Sequence, residues 1–174
     1  PLTLPSPPMG ERGITAQSKP DSQREMLSRL ELSIAEFARI KRRCDERGIL
    51  FLATPFGRAE VEQLVAMGAS AIKLASSDLT NVELLDAAAA TGLPLIVSTG
   101  ASTCEEIEES VRHLAPYGAA DRLVLLKCVS RYPAPIGSIN LRVIRALREA
   151  FGVPVGLSDH TTSTLMGALA VAAG

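Results

Sequence analysis

The chain carries five short apolar runs, and each run ends in small polar or charged residues. A helix-like segment fills every gap between the runs. Apolar runs that do not alternate with polar residues are typical of parallel strands buried on both faces. Strands that alternate with helices indicate repeated βα units. The runs are Ile49 to Thr54, Ala71 to Ser76, Pro94 to Gly100, Leu123 to Ser130 and Val153 to His160.

Local signals mark where the intervening helices begin and end. Ser33 and Glu36 have the spacing of a helix capping box, and so do Thr103 and Glu106. Glycines stand where several helices should stop, because glycine readily adopts the left-handed conformation of a helix end. We therefore predict helices from Ser33 to Gly48, Arg58 to Met67, Asn81 to Ala90, Thr103 to Leu114, Asn140 to Phe151 and Thr162 to Ala173.

The N-terminal part differs from the rest of the chain. The first twenty residues contain five of the eleven prolines and show no apolar period. We expect residues 1–26 to form a flexible, Pro-rich leader and residues 27–174 to form one domain. A chain of 174 residues is long enough for one domain with a sizeable core.

Composition favours a small-molecule partner. With 18 basic and 19 acidic residues the formal charge is -1, so the chain lacks the excess of positive charge that is typical of nucleic-acid-binding domains. No apolar run reaches the roughly 20 residues that a transmembrane helix needs, so we expect no membrane partner and a cytoplasmic location. The three separated cysteines, Cys44, Cys104 and Cys128, fit reduced thiols better than a disulfide framework or a zinc site.

Parallel strands bring their carboxyl ends to one edge of a sheet, and ligands bind there in two architectures. One is an open doubly wound sheet, and the other is a closed eight-stranded barrel. The Gly-rich fingerprint of a dinucleotide fold follows none of the runs. Each run instead ends in one or two polar side chains, which favours a site assembled from several strands of a barrel. Five βα units are too few to close a barrel, so the sheet is open or the chain is a fragment.

Several strings resemble the sialic acid synthase family, which includes the neuraminate, legionaminate and pseudaminate synthases. The resemblance runs from about Leu27 to Gly174. It implies an incomplete (β/α)8 barrel of the TIM type, with the five runs as strands three to seven. Strands one, two and eight and the small antifreeze-like domain of the family would be absent. The strings are FLATPFG, IKLASSDLTN, LIVSTG, LLKCVSRYPAP and INLRVIRALREAFGVPVGLSDHT.

The resemblance implies a condensation of phosphoenolpyruvate with the open-chain aldehyde of an N-acylated amino sugar such as N-acetylmannosamine. The products are phosphate and a nine-carbon keto-sugar acid, and a divalent ion, manganese or magnesium, assists. Such chemistry needs donors for a phosphate and a carboxylate, together with a Lewis acid at the aldehyde oxygen. The family also implies a homodimer, so we expect a homo-oligomer.

The resemblance assigns a phosphoenolpyruvate pocket to five residues. The residues alone leave alternatives open: hydroxyl side chains commonly finish strands, and a lysine there can extend to solvent. A barrel lysine can also form a Schiff base, which would make the protein an aldolase that uses Lys73. The five residues are Thr54, Lys73, Ser76, Ser130 and Ser158.

Three further residues have implied roles. The resemblance makes His160 a ligand of the divalent ion, with a second histidine on the absent eighth strand; a lone histidine is otherwise more often structural. Tyr132 matches a tyrosine on the substrate side, although it could simply pack on neighbouring prolines. Asp78 matches an acidic position that faces the sugar, but it could equally cap the helix that follows.

Some residues set limits on the interpretation. A lysine at position 127 is similar to the pseudaminate synthases, whereas the string IKLASSDLTN is similar to the neuraminate and legionaminate synthases. The resemblance therefore does not decide which acylated sugar is the substrate. We interpret Cys128 as a buried strand thiol, because no histidine is near it in the sequence. A fragment of this kind would expose apolar edge strands, which predicts self-association and little activity of the isolated chain. A non-catalytic phosphate-binding remnant is therefore the main alternative to the synthase.

Overall fold

The computed structural model describes residues 22–174, and the chain divides into two compact units, residues 1–43 and 44–174. The first unit contains helix α1 (Gln23–Leu30) and most of helix α2 (Ile34–Glu46). Residues 1–21, most of the predicted leader, lie outside the described residues. Helix α1 begins at Gln23, inside the range predicted as a leader for residues 1–26.

The capping boxes predicted from the sequence are present. The Ser33 hydroxyl accepts a hydrogen bond from the backbone N–H of Glu36 at 3.3 Å, and the Glu36 carboxylate accepts from the Ser33 N–H at 2.7 Å. Thr103 and Glu106 make the same reciprocal pair at the start of the helix Cys104–Leu114. Each box satisfies two backbone donors that a helix start leaves without partners.

The second unit is built around a four-stranded parallel sheet in which strands that follow one another along the chain are neighbours in space. One helix lies between each pair of consecutive strands, as the sequence predicts. The strands are β1 (Ile72–Leu74), β2 (Leu95–Ser98), β3 (Leu123–Cys128) and β4 (Val155–Ser158), and the helices are α3 (Arg58–Ala66), α4 (Val82–Ala90), α5 (Cys104–Leu114), α6 (Arg142–Phe151) and α7 (Met166–Ala172).

The first predicted strand, Ile49 to Thr54, is wrong: the segment pairs with no strand among the described residues. Phe51 is buried, but Ile49 and Leu50 are 62% and 74% exposed. An apolar run shows which residues can be buried, whereas a strand also needs a hydrogen-bonding neighbour. That neighbour cannot be identified from the run itself.

Helix α7 begins at Met166, four residues after the predicted start at Thr162. Side chains in this stretch bond to nearby backbone N–H groups instead of leaving them to a helix. Asp159 accepts from Thr161 N at 2.8 Å, and the Thr161 hydroxyl accepts from Ser163 N at 3.1 Å. Such local bonds compete with helix formation, which explains the later start.

The strand register separates the side chains into two faces. The packed face holds Ile72, Leu74, Leu95, Val97, Leu123, Leu125 and Val155, which are all buried. Helices α6 and α7 contact this sheet. The opposite face, which we call the site face, carries Lys73, Ile96, Ser98, Val124, Leu126, Cys128, Gly156 and Ser158. In the described part, the packed face of the sheet is therefore more deeply buried than the site face, whereas the apolar runs predict that both faces are buried.

On the site face, polar groups concentrate toward the carboxyl ends of the strands. Ile96, Val124 and Leu126 occupy its lower and middle positions, whereas Ser98, Cys128 and Ser158 occupy the last position of their strands. Ser98 and Cys128 are buried, and most of the other members are half-buried. The fold thus delivers hydroxyl and thiol groups to one edge of the sheet.

Candidate active site

Lys73 and Ser98 form the first contact of the candidate site. Lys73 lies on β1 and points to the site face, and its Nζ donates to the Ser98 Oγ at 3.3 Å. Ser98 is 2% exposed at the end of β2. The contact holds the Lys73 ammonium toward the carboxyl end of the sheet. Sequence reasoning missed Ser98, although it ends the apolar part of the string LIVSTG.

Ser76 is held by the loop that follows the neighbouring strand. It lies in the short 3-10 turn Ser76–Asp78 after β1, and its Oγ accepts from the Gly100 N–H at 2.9 Å. A hydroxyl has two acceptor lone pairs and one O–H donor. The protein therefore uses one acceptor position on Ser76 and one on Ser98, which leaves both O–H groups able to donate to an anion.

Gly100 approaches Cys128 too closely to carry a side chain. A Cβ at position 100 would lie 2.9 Å from the Cys128 Cβ, 2.9 Å from its Sγ and 3.0 Å from its carbonyl carbon. Glycine permits this approach of the β2 loop to the end of β3. The Lys73, Ser76 and Ser98 cluster is thereby joined to the groups that follow β3 and β4.

His160 is the centre of that second group. Its Nδ1 lies 2.7 Å from the carbonyl oxygen of Val129, and its Nε2 lies 3.3 Å from the Ser158 Oγ. A carbonyl can only accept, so Nδ1 carries the proton in the neutral ring and Nε2 presents a lone pair. A neutral histidine held in this way is suited to donate its Nε2 lone pair to a metal.

Tyr132 stacks on the His160 ring with 4.0 Å between the ring centroids and 29° between the planes. Partial burial, followed by the nearby Cys128, raises the pKa of the Tyr132 hydroxyl above its ordinary value. The hydroxyl therefore stays protonated near neutral pH and remains a donor.

Cys128 lies beside His160, which its sequence neighbours gave no reason to expect. Strand register pairs Cys128 with Ser158, and His160 follows two residues later. The Sγ is 3.7 Å from Nδ1 and 3.9 Å from Nε2. Nearly equal distances mean that the thiol is aligned with neither nitrogen, and Nδ1 already donates to Val129. The contact is consequently packing and not an activated Cys–His pair.

Asp78 is engaged by its own turn. Its Oδ1 accepts from the Asn81 side-chain amide at 3.5 Å, and its Oδ2 accepts from the Ser77 hydroxyl at 3.1 Å. Asn81, and not Asp78, caps α4, because the Asn81 Oδ1 accepts from the backbone N–H of Leu84 at 3.3 Å. The alternative role of Asp78 as a helix cap is therefore wrong.

Thr54 and Ser130 are not brought into the cluster by hydrogen bonds. Thr54 is half-buried in the unpaired segment before α3, and Ser130 is exposed in the bend after β3. Within residues 22–174, neither side chain bonds to Lys73, Ser98 or His160. Their predicted contacts with phosphoenolpyruvate remain predictions.

The sequence of the chain matches a known family. The profile of the NeuB family fits residues 5–174. The chain belongs to the NeuB family. The chain is 37% identical over 156 residues to the N,N'-diacetyllegionaminic acid synthase of Legionella pneumophila, and the alignment covers 88% of this chain and 44% of that protein.

Solved structures agree with the NeuB assignment. The crystal structure of N-acetylneuraminic acid synthetase from Leptospira borgpetersenii in complex with citrate superposes with a TM-score of 0.79 at 38% identity, covering 83% of this chain and 50% of that one. A truncated 3-deoxy-D-arabino-heptulosonate 7-phosphate synthase from Thermotoga maritima shares the fold, with a TM-score of 0.69 at 16% identity over 83% of this chain and 58% of that one. The prediction of an incomplete α/β barrel of the TIM type is confirmed, with four parallel strands in the described part where five are predicted.

This NeuB chain spans about half the length of the curated relatives that it matches, 46% and 44% for two of them. None of the helices in the described part is long and apolar enough to cross a membrane. Likewise, residues 22–174 contain no cluster of three or more His, Cys, Asp or Glu side chains placed to hold a metal ion. In the described part, His160 therefore offers one metal-binding nitrogen with a hydroxyl, Ser158, beside it.

Lys127 lies at a position that the resemblance links to the kind of sugar used. It belongs to the packed face, opposite to Cys128, and its Nζ donates to the Cys128 carbonyl at 2.8 Å. Burial lowers the pKa of Lys127, and a charge interaction with Cys128 partly offsets this effect. Lys127 thus stabilises the end of β3 from the packed face and does not reach the cluster around Lys73.

Proposed function

We propose that the protein containing this chain condenses phosphoenolpyruvate with the aldehyde of an N-acylated amino sugar. Carbon 3 of phosphoenolpyruvate forms a bond to the aldehyde carbon, one water is consumed, and inorganic phosphate leaves. The product is a nine-carbon keto-sugar acid of the sialic acid type. Family membership and relatives named as legionaminic, pseudaminic and sialic acid synthases support this proposal.

The observation that carries the proposal is the arrangement of Lys73, Ser76 and Ser98. The Lys73 ammonium supplies a positive charge, and the two hydroxyls have acceptor positions filled by protein donors. Their O–H groups are left to donate to phosphate or carboxylate oxygens. Hydrogen bonds to an anion from charged and preorganised donors are about twice as strong as neutral ones. The set therefore suits phosphoenolpyruvate, which carries both groups.

The second half of the proposal concerns the sugar. His160 would hold a divalent ion, manganese or magnesium, through its Nε2, because Val129 keeps the proton on Nδ1. When bound, the ion would supply a Lewis acid that polarises the aldehyde oxygen. Thr54, Ser130 and Ser158 would complete the phosphoenolpyruvate pocket, and Asp78 and Tyr132 would face the sugar. The acyl groups of the sugar stay open.

Calorimetric titration with phosphoenolpyruvate tests the pocket. Replacing Lys73 with Met removes the ammonium, and we expect the affinity to fall at least about tenfold, since hydrogen bonds to charged groups contribute about 1.5–3 kcal/mol. The matched control is Lys127→Met, which removes the other half-buried strand lysine from the opposite face. Equal losses in both variants, or none in Lys73→Met, would contradict the proposed pocket.

Borohydride trapping separates the synthase from a Schiff-base aldolase. If Lys73 formed an iminium with a keto substrate, borohydride would fix the adduct and add its mass to the Lys73 peptide. We expect no such adduct, because the proposed pocket uses the Lys73 ammonium as a donor to an anion. A trapped adduct at Lys73 would replace the synthase proposal with the aldolase.

A further inference from the structure

One loop contacts His160 in three ways. Val129, directly after β3, accepts from Nδ1 at 2.7 Å; Tyr132 stacks on the ring at 4.0 Å; and the Ala134 N–H donates to the His160 carbonyl at 2.8 Å. These contacts fix the backbone, the ring plane and the protonated nitrogen of one residue. We call residues 129–134 the histidine loop.

The ends of the histidine loop are anchored in apolar packing. Ala134 is 4% exposed and belongs to a buried cluster with Ile139 and Met166, and Val129 packs against the same cluster. The Val129 carbonyl also accepts from the Arg131 N–H at 2.8 Å, so both of its lone pairs are used. A carbonyl fixed in this way holds the Nδ1 proton in a definite direction.

The Val129 carbonyl lies 2.7 Å from the His160 Nδ1 and the Ser158 hydroxyl lies 3.3 Å from Nε2, and a ring held at these two atoms can still rotate about the line that joins them. Tyr132 covers the ring face, and it is the only aromatic ring that the structure stacks on His160 within residues 22–174. The Tyr132 side chain is itself 58% exposed, so its burial contributes little to the core. Its position over the imidazole is therefore its main described contact.

We infer that Tyr132 is a positioning residue whose aromatic ring, and not its hydroxyl, holds His160 ready to use Nε2. This role of the ring is separate from the contact with the sugar that the proposed function gives to Tyr132. The inference depends on the proposed function only in its consequence for metal binding. The orientation and the tautomer of His160 are properties of the metal-free protein and can be measured there.

Two variants of the full-length protein separate the ring from the hydroxyl. Tyr132→Phe keeps the stacking ring, and Tyr132→Leu removes it. Long-range proton–nitrogen NMR at about pH 8 reports which His160 nitrogen carries the proton. Electron paramagnetic resonance of free Mn²⁺ gives the metal affinity. Tyr117→Leu, which changes the other tyrosine of this chain, is the matched control for general loss of packing.

We expect wild type, Tyr132→Phe and Tyr117→Leu to keep the proton on Nδ1 of His160 and to bind Mn²⁺ equally well. Tyr132→Leu should give a mixture of His160 tautomers and lose about 10–100-fold in Mn²⁺ affinity, the usual effect of removing a group that orients a ligand.

Two results would overturn the inference. Tyr132→Phe could lose as much affinity as Tyr132→Leu, which would assign the role to the hydroxyl. Tyr132→Leu could keep the wild-type tautomer, whether or not Mn²⁺ affinity falls, which would show that Tyr132 does not act through His160. Failure of wild type to bind Mn²⁺ would remove the metal from the proposed function, and the NMR result would still decide the role of Tyr132.

Discussion

Replacing Gly100 with Ala tests whether the close approach between the β2 loop and the end of β3 holds the site together. The added Cβ would lie 2.9 Å from two Cys128 side-chain atoms and 3.0 Å from its carbonyl carbon, so the loop must move by several tenths of an ångström. Overpacking of this kind costs about 1–3 kcal/mol. The φ of Gly100 lies outside the left-handed region, so Ala also gains about 0.4–1 kcal/mol from a less flexible unfolded chain.

We therefore expect Gly100→Ala to lower the free energy of unfolding by about 1 kcal/mol, the difference between the midpoints of these two ranges. Moving the loop also weakens the hydrogen bond from Gly100 N to the Ser76 Oγ at 2.9 Å. A bond of this kind contributes about 1 kcal/mol, so the affinity for phosphoenolpyruvate should fall by up to about fivefold. Urea unfolding and calorimetric titration measure the two effects separately.

Gly137→Ala is the matched control. Gly137 lies in a 3-10 turn, a Cβ added there would meet no heavy atom within 4 Å, and its φ is also outside the left-handed region. The control should be neutral or more stable by about 0.4–1 kcal/mol. Combining Gly100→Ala with Cys128→Ala should restore only part of the loss, because the Cβ and carbonyl contacts remain. If Gly100→Ala matched Gly137→Ala in both stability and affinity, the close approach would have no role in the site.

Three other predictions concern parts of the fold outside the site. A hydrogen bond from Tyr117, and to a smaller extent one from His113, lowers the pKa of Asp86. The ionised Asp86 carboxylate therefore stabilises the fold at any pH above the ordinary Asp pKa of about 3.9, and this contribution is lost as the pH falls through the lower pKa of the folded state. Asp86→Asn should thus show a smaller loss of urea stability on acidification than wild type, and parallel curves would contradict this. Arg122 donates to three backbone carbonyls, and Arg122→Met should cost about 2–3 kcal/mol in thermal or urea unfolding, against at most about 0.5 kcal/mol for the exposed Arg112→Met. The isolated 174-residue chain should self-associate in light scattering, because β1 and β4 are edge strands of the described sheet; a monodisperse monomer would contradict this.

The helix starts marked by capping boxes were predictable because their signals are local, whereas α1 and the start of α7 were not predicted. Ser33 and Thr103 each meet a glutamate three residues later, and both capping boxes are present. Strand β1 was likewise predictable from its apolar run. The segment from Ile49 to Thr54 has a similar composition but no partner strand in the described part, and pairing depends on residues far away in the sequence.

The site was only partly predictable for the same reason. The neighbourhood of Cys128 depends on the register between β3 and β4, which brings in a histidine 32 residues away. Ser98 ends an apolar run in the same way as Ser76, so the sequence contained a signal for it. Its contact with Lys73, 25 residues earlier, requires the two strands to be adjacent.

The order of the sheet has a consequence for transferring this candidate site to other scaffolds. Ser76 follows β1 but is held by Gly100 after β2, and His160 follows β4 but is held by Val129 after β3. Ser76 and His160 thus each depend on a main-chain group from the neighbouring βα module. A single βα module grafted onto another protein would lack the backbone hydrogen bond that holds its side chain, so the smallest segment that could be transferred is a pair of adjacent modules.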